Sequence, residues 1–272
     1  MSLLSPDTLA LYISPERIQA VKAVGLGQRP VEVHQRNASV QPTDNWQDMM
    51  RVSGELIRQT RASRIHVVLS DKLARYACFP WREELRNQTE DHAMAVLNFD
   101  DVYGVNASAD WHFGFSAGAP GQSRLSIAVP KSLYEVLRTH MGQNQAKVTS
   151  VQTAFSATLR THRKQLGNTG WLVNLENGRL TLGCWTNDAW NWVYSVHAEF
   201  DGPEALLARI QHEIKMASTS LKTTQLLQIC IHAPAFEHLP FGALEGVRFV
   251  SLKTQGKEPG PKYAFALMGI KA

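Results

Sequence analysis

Two tight turns in this sequence have residue types that can face a phosphate. A hairpin that cradles phosphate offers backbone N–H groups, an acid for the water shell of a metal ion, and a glycine where backbone and ligand come close. The first candidate reads Tyr12-Ile-Ser-Pro-Glu-Arg17. It lacks the Asp and the Gly, and Pro15 removes one donor. The second reads Leu175-Glu-Asn-Gly-Arg179. Here Glu176 supplies an acid and Gly178 the close-approach residue, although an Asn177-Gly178 pair needs no ligand to explain it. Ser14, Glu176, Asn177 and Gly178 are therefore the positions a nucleotide would use. No resident cofactor is expected; ATP with Mg is the ligand such a site would take, and turnover is not expected.

Other chemistry fails on spacing. Gly25-Leu-Gly27-Gln-Arg-Pro30 begins like a dinucleotide loop but leads into a strand, so no helix N-terminus meets the pyrophosphate. His232-Ala-Pro-Ala-Phe-Glu-His238 gathers two His and a Glu, yet the spacing matches no zincin and a Pro interrupts the helix that would align them. Neither a Gly-x-Ser-x-Gly elbow nor a Gly-x-x-x-x-Gly-Lys loop occurs. A two-metal nuclease needs carboxylates on the first strand and after the fourth; Asp71 follows the fourth, but the first carries none after Asp7. No metal is expected.

The elements that must position these residues follow from periodicity. Thr8 to Ile13 is β-rich, Ser14-Pro15-Glu16 turns the chain, Arg17 to Val24 alternates with period two, and Val31 to Arg36 alternates again after a second turn. A helix follows, capped by Thr43 or Asp44, with Trp46, Met49, Met50, Leu56 and Ile57 on its apolar side. Ile65 to Leu69 is a buried strand. The order β-β-β-α-β opens an RNase H-like fold. It recurs: Gly170 to Glu176 and Arg179 to Trp185 flank the Asn-Gly turn, Trp190 to Val196 is a third strand, Pro203 to Ser220 an amphipathic helix, and Leu226 to Ile231 the strand after it. Two passes of one pattern point to a duplication. The expected fold is α/β and actin-like (a duplicated RNase H-like fold), with two lobes and mixed sheets. The first lobe is expected over 1–153, with an inserted subdomain at about 75–130, and the second over 154–272. Ala154 to Gln165 reads as one helix bridging the lobes, and a helix is expected near Leu85 to Leu97.

Composition narrows the partners. The 272 residues, 44% hydrophobic and 19% charged, suffice for a large core and exclude disorder. Cys78, Cys184 and Cys230 have no metal spacing and read as small buried hydrophobes in a reducing compartment. The first residues lack a secretory signal, and no run approaches the ~18 apolar residues of a membrane helix, so a cytoplasmic protein is expected. Net charge is +4. The densest basic patches, Arg58, Arg61, Arg64 and Arg160, His162, Arg163, Lys164, fall at helix ends where cations complement the dipole. Aromatics do not interleave with them, so nucleic acid is not an expected partner. Trp171, Trp185, Trp190 and Trp192 read as cross-strand packing, with one as an interface anchor the alternative.

Three phrases resemble the actin-like cytoplasmic assembly proteins of type IV pili and type II secretion, the PilM and GspL families. Val67-Val-Leu-Ser-Asp-Lys-Leu-Ala-Arg-Tyr-Ala-Cys-Phe-Pro-Trp81 looks like their strand, turn and returning strand. Trp171-Leu-Val-Asn-Leu-Glu-Asn-Gly-Arg-Leu180 looks like the hairpin opening their second half, and Lys262 to Lys271 like the small-residue segment that closes the pilus proteins. The resemblance implies a non-catalytic scaffold binding the cytoplasmic segment of a single-pass inner-membrane partner, PilN-like or equivalent, and held at that membrane only through the partner. PilM-like proteins can hold ATP in their cleft. Without a membrane helix of its own, the chain matches the PilM arrangement, and self-association is compatible with it. Arg75, Tyr76 and Trp81 then fall near the cleft and are the expected partner-binding residues, by strand addition. The competing class is a small-molecule kinase or ATP-binding protein on the same fold, which needs an Asp in the first hairpin.

Overall fold

The computed structural model of the protein describes residues 7–25, 28–39, 45–83, 87–116, 118–143, 146–221, 228–236, 249–253 and 260–270. In chain order these form β1 (Thr8–Ile13), β2 (Arg17–Val24), β3 (Arg29–Asn37), α1 (Gln47–Thr60), β4 (Arg64–Leu69), β5 (Arg75–Phe79), α2 (Gln88–Tyr103), β6 (Trp111–Phe115), β7 (Arg124–Pro130) and α3 (Lys131–Gln143). There follow β8 (Lys147–Thr153), α4 (Ala154–Thr161), α5 (Arg163–Leu166), β9 (Gly170–Glu176), β10 (Arg179–Thr186), β11 (Ala189–Val196), α6 (Pro203–Leu221), β12 (Ile229–His232), β13 (Phe249–Ser251) and α7 (Ala264–Ile270).

The duplication is visible in the sheets. One has the order β3-β2-β1-β4-β8 and the other β11-β10-β9-β12-β13. In the first, β1 pairs antiparallel with β2 and parallel with β4, and β4 parallel with β8. In the second, β9 takes the place of β1, antiparallel to β10 and parallel to β12, with β13 parallel to β12. Central strands covered on both faces are buried along their whole length, and β1 and β9 are both of this kind. A third sheet, β5-β7-β6, comes from the insertion.

The chain parts into two compact units, Met1–Ala74 with Val129–Thr161 and Thr254–Ala272, and Arg75–Ala128 with His162–Lys253. This differs from the expected division at 153/154 because both α4 and α7 pack on the first sheet. Every residue of α7 is buried, over β1, β4 and α4. Its phenylalanine Phe265 stacks on Tyr12, 5.2 Å between ring centres, and Arg160 of α4 donates to the Met268 carbonyl at 3.3 Å. The inserted sheet belongs with the second unit: β5 packs against β11, and Trp190 N donates to the Ser123 carbonyl at 3.1 Å.

Local departures have local causes. The helix read as Ala154 to Gln165 is broken at His162 into α4 and α5. The helix expected near Leu85 starts later, at Gln88, where Asn87 Oδ1 accepts from the N–H groups of Thr89 and Glu90. The caps expected for α1 at Thr43 or Asp44 lie outside the described residues, as do residues 226–227 of the expected last strand and residues 256–259 of the closing loop.

One glycine sets how closely α7 approaches the sheet. A Cβ at Gly269 would lie 2.9 Å from Ala10 Cβ and 3.5 Å from Val68 Cγ2. Gly269→Val should therefore lift α7 off β1 and β4 and cost about 1–3 kcal/mol of stability; chemical denaturation with a midpoint equal to wild type would contradict this packing.

Candidate functional site

The first candidate turn sits between β1 and β2, where the antiparallel register brings Ile13 opposite Ile18. Two of its donors are used within the chain. Ser14 N donates to the Arg17 carbonyl at 3.0 Å, and Arg17 N to Ser14 Oγ at 3.3 Å. Pro15 has no N–H, and the side chain of Glu16 stands beside the turn. Its carboxylate accepts from Lys72 Nζ at 2.9 Å and lies 3.2 Å from Ser14 Oγ. Partial burial raises the Glu16 carboxyl, but the bond and charge of Lys72, with Ser14 and the main chain, outweigh it and hold the group below its usual range.

Lys72 comes from a short 3-10 turn, Asp71–Leu73, that follows β4. Ser70 opens it: its N–H reaches the Ile13 carbonyl at 2.8 Å and its hydroxyl accepts from Lys72 N. Asp71 is fully buried, and its Oδ1 accepts from Phe155 N at 2.9 Å in the first turn of α4. A carboxylate there complements the helix dipole and satisfies a donor that would otherwise lack a partner. Asp71 therefore joins β4 to α4.

In the second turn, Glu176 pairs with Arg179 across Asn177 and Gly178, and Gly178 takes φ 70°. Glu176 is buried, along with Asn174 and Thr181. Asn174 Oδ1 lies 2.9 Å from Nδ1 of the fully buried His232, whose ring centre is 5.8 Å from that of buried His162. Burial, with the His162 charge second, pushes the pKa of His232 down to about 3. His162 thus departs from the solvated helix end expected for it: it occupies the break between α4 and α5 and points into the second unit. The metal reading of His232 and His238 gains nothing: His238 lies outside the described residues, and no group of three His, Cys, Asp or Glu forms among the described ones.

The residues expected to meet a partner divide. Arg75 is half-buried, with its guanidinium 5.0 Å from the ring centre of Tyr103 and 4.7 Å from that of Trp111. Tyr76 is buried; its carbonyl accepts from the Tyr103 hydroxyl at 2.8 Å. The aromatic group near Arg75 at the surface is instead Tyr103, 38% exposed. Burial raises the Tyr103 hydroxyl's pKa, while the Tyr76 main chain, Arg75 and Arg179 pull against that rise, so two cations lie near one phenol. Trp81 is half-buried beyond the end of β5. Because β11 packs against β5, the edge expected to accept an added strand is lined by the chain itself.

Trp171, Trp185 and Trp190 are buried, whereas Trp192 is half-buried and stacks on the exposed Tyr194, 5.6 Å between ring centres. Burial pushes the Cys184 thiol up to about 12 and raises Cys78 as well. In the second basic patch, Arg160 holds α7 and Arg163 pairs with Asp188 and the Gly167 carbonyl. Among the described residues no helix is long and apolar enough to cross a membrane.

No protein-family model matches this sequence, and no curated protein matches it. Solved structures do. The cytoplasmic domain of EpsL, an inner membrane component of the type II secretion system of Vibrio cholerae, superposes with TM-score 0.57 at 11% identity, over 98% of this chain and 95% of that one. A PilM–PilN type IV pilus biogenesis complex gives 0.58 at 14% identity, over 97% of each chain. A Bacteroides thetaiotaomicron protein with an actin-like ATPase fold and unknown function gives 0.58 at 11%, over 97% of this chain and 95% of that one. The fold is actin-like, as the repeated strand order implied.

The buried histidine has a measurable consequence. Unfolded, His232 takes a proton below its ordinary 6.5; folded, it stays neutral to about 3. The unfolded state therefore binds more protons in that window, so the stability is full above 6.5 and is lost as pH falls. Between pH 7 and 5, wild type should lose about 2 kcal/mol more than His232→Gln; parallel denaturation curves for the two proteins would show that His232 is not buried as a neutral base.

Proposed function

We propose that this protein is a non-catalytic assembly scaffold of a type IV pilus or type II secretion machine. It works at the cytoplasmic face of the inner membrane and binds the cytoplasmic segment of a membrane partner. The observation that carries the reading is the β1–β2 turn. An actin-like nucleotide site needs free N–H groups at this turn, and here those of Ser14 and Arg17 are spent on the Arg17 carbonyl and Ser14 Oγ, while Pro15 has none. A phosphate would meet the Glu16 carboxylate beside them, a repulsion that Lys72 offsets only by leaving Glu16. A kinase on this fold would also require an acid that this turn does not present to solvent without Lys72 attached.

The full-length likeness to the EpsL domain and to the PilM–PilN complex supports the scaffold class. The partner contact is assigned to Arg75, Tyr103 and Trp111, with Trp81 at its margin. A guanidinium held against two rings keeps its donors directed outward at little entropic cost, which suits a carboxylate or main-chain carbonyl of a peptide.

The test is equilibrium binding to synthetic cytoplasmic segments of the single-pass membrane proteins encoded next to this chain. One segment should bind, and Arg75→Ala or Trp111→Ala should weaken it roughly tenfold, the equivalent of about 1.4 kcal/mol. Binding that is indifferent to both variants would remove the assigned contact, and the absence of any binding segment would remove the scaffold reading.

A further inference from the structure

The edge of the first sheet carries a feature the scaffold reading does not use. β3 is the terminal strand there, nine residues long, and β2 is its one neighbouring strand among the described residues. Both of its faces are largely open: Val31 and Val33 are exposed on one, Pro30 and Glu32 on the other. Natural sheets guard such an edge with prolines, bulges or short strands, because its unpaired N–H and C=O groups are a template for another strand. Here the guard covers one end. Pro30 and the register shift opposite Lys22 and Ala23 blunt the start of β3, whereas Glu32 to Asn37 pairs regularly with β2.

The register shows which groups face out. Ala38 N donates to the Glu16 carbonyl at 3.2 Å, one rung beyond the Arg17–Asn37 pair. In an antiparallel ladder hydrogen-bonded pairs alternate, so Arg36, His34 and Glu32 turn their main chain toward β2 and Asn37, Gln35 and Val33 turn theirs outward. The order of side chains about Val33 is self-complementary. If a second β3 lies antiparallel across a twofold axis at Val33, then Val33 meets Val33, Glu32 meets His34 and Val31 meets Gln35, and the bulge ends the regular pairing before Pro30. No like charges stand opposite, and Glu32 and His34 already lie 3.4 Å apart within one chain. Centring the axis on Glu32 would instead oppose two carboxylates.

We propose that β3 is a homodimerisation edge: two copies of this chain pair antiparallel through β3 about Val33, joining their five-stranded sheets into one of ten strands. The pairing is isologous, so each contact occurs twice and the assembly closes at two copies. A short edge-to-edge contact is small by the standard of permanent interfaces, so the dimer is weak and responds to concentration.

Sedimentation of the full chain over a range reaching about 100 µM tests this. Wild type should shift from monomer to dimer and no further. Glu32→Lys sets an ammonium group against His34 and should weaken association about tenfold; His34→Glu sets two acids together and should do the same. An equimolar mixture of these two variants restores one Glu32–His34 contact and sets the introduced ammonium against the introduced carboxylate, so it should dimerise more tightly than either variant alone. That rescue separates a broken contact from a misfolded protein. A wild type that stays monomeric throughout, a dimer that ignores both substitutions, or a mixture no tighter than its separate components would each overturn the proposal. The partner-binding measurement above is independent of all three outcomes, since Arg75 lies in the other unit.

Discussion

A turn between two buried strands has few N–H groups to offer a ligand, and the β1–β2 turn spends those of Ser14 and Arg17 inside its own chain. That constraint shapes what surrounds it. Pro15 removes one donor outright, Ser14 and Arg17 satisfy each other, and Glu16 takes Lys72 from the turn after β4. The neighbouring Asp71 does the equivalent for α4, filling the helix N-terminus with a carboxylate. Two places where an anion could be received are thus occupied by the protein's own acids. The consequence is a first unit whose turns are committed to holding one another.

The two units begin from one plan and diverge in what covers the sheet. In the first, α7 lies close over β1 and β4 because Gly269 and Ala10 leave no Cβ collision, and the apolar face is sealed by this short, fully buried helix. In the second, the longer α6 and the aromatic hairpin do the sealing, with Leu206 and Ile210 against Trp171, Val173 and Leu180. The second unit also keeps a buried polar set on its central strands, Asn174 with His232 and the nearby His162. On the matching strand of the first unit, Leu9, Leu11 and Ile13 are fully buried instead. Buried polar groups in a hydrogen-bonded pair fix geometry at a cost that apolar packing elsewhere must offset.

Much of this was legible in the sequence, for identifiable reasons. The meander, the helix and the returning strand announce themselves by alternation and by the Asn177-Gly178 turn, all of which are local signals. The duplication followed from their order. What was not legible is long-range. Nothing within a few residues of α4 or α7 says that both return to the first sheet. Arg75 meets Tyr103 and Trp111 across 28 and 36 residues, so the aromatic partners were missed and Tyr76, its buried neighbour, stood in for them. His162 sits among Arg160, Arg163 and Lys164 and reads as solvated, yet the chain breaks its helix there and turns that one ring inward. The missing Asp and Gly of the first turn were readable; that Lys72 closes it was not.

The scaffold proposal rests on a β1–β2 turn that leaves no place for a nucleotide phosphate. Thermal stability with and without excess Mg-ATP tests it most directly, because a ligand at about 100 times its dissociation constant adds about 2.7 kcal/mol. The account predicts superimposable unfolding curves at millimolar Mg-ATP. A clear upward shift would contradict it, for it would mean that the β1–β2 turn opens, releases Lys72 from Glu16, and receives a phosphate after all.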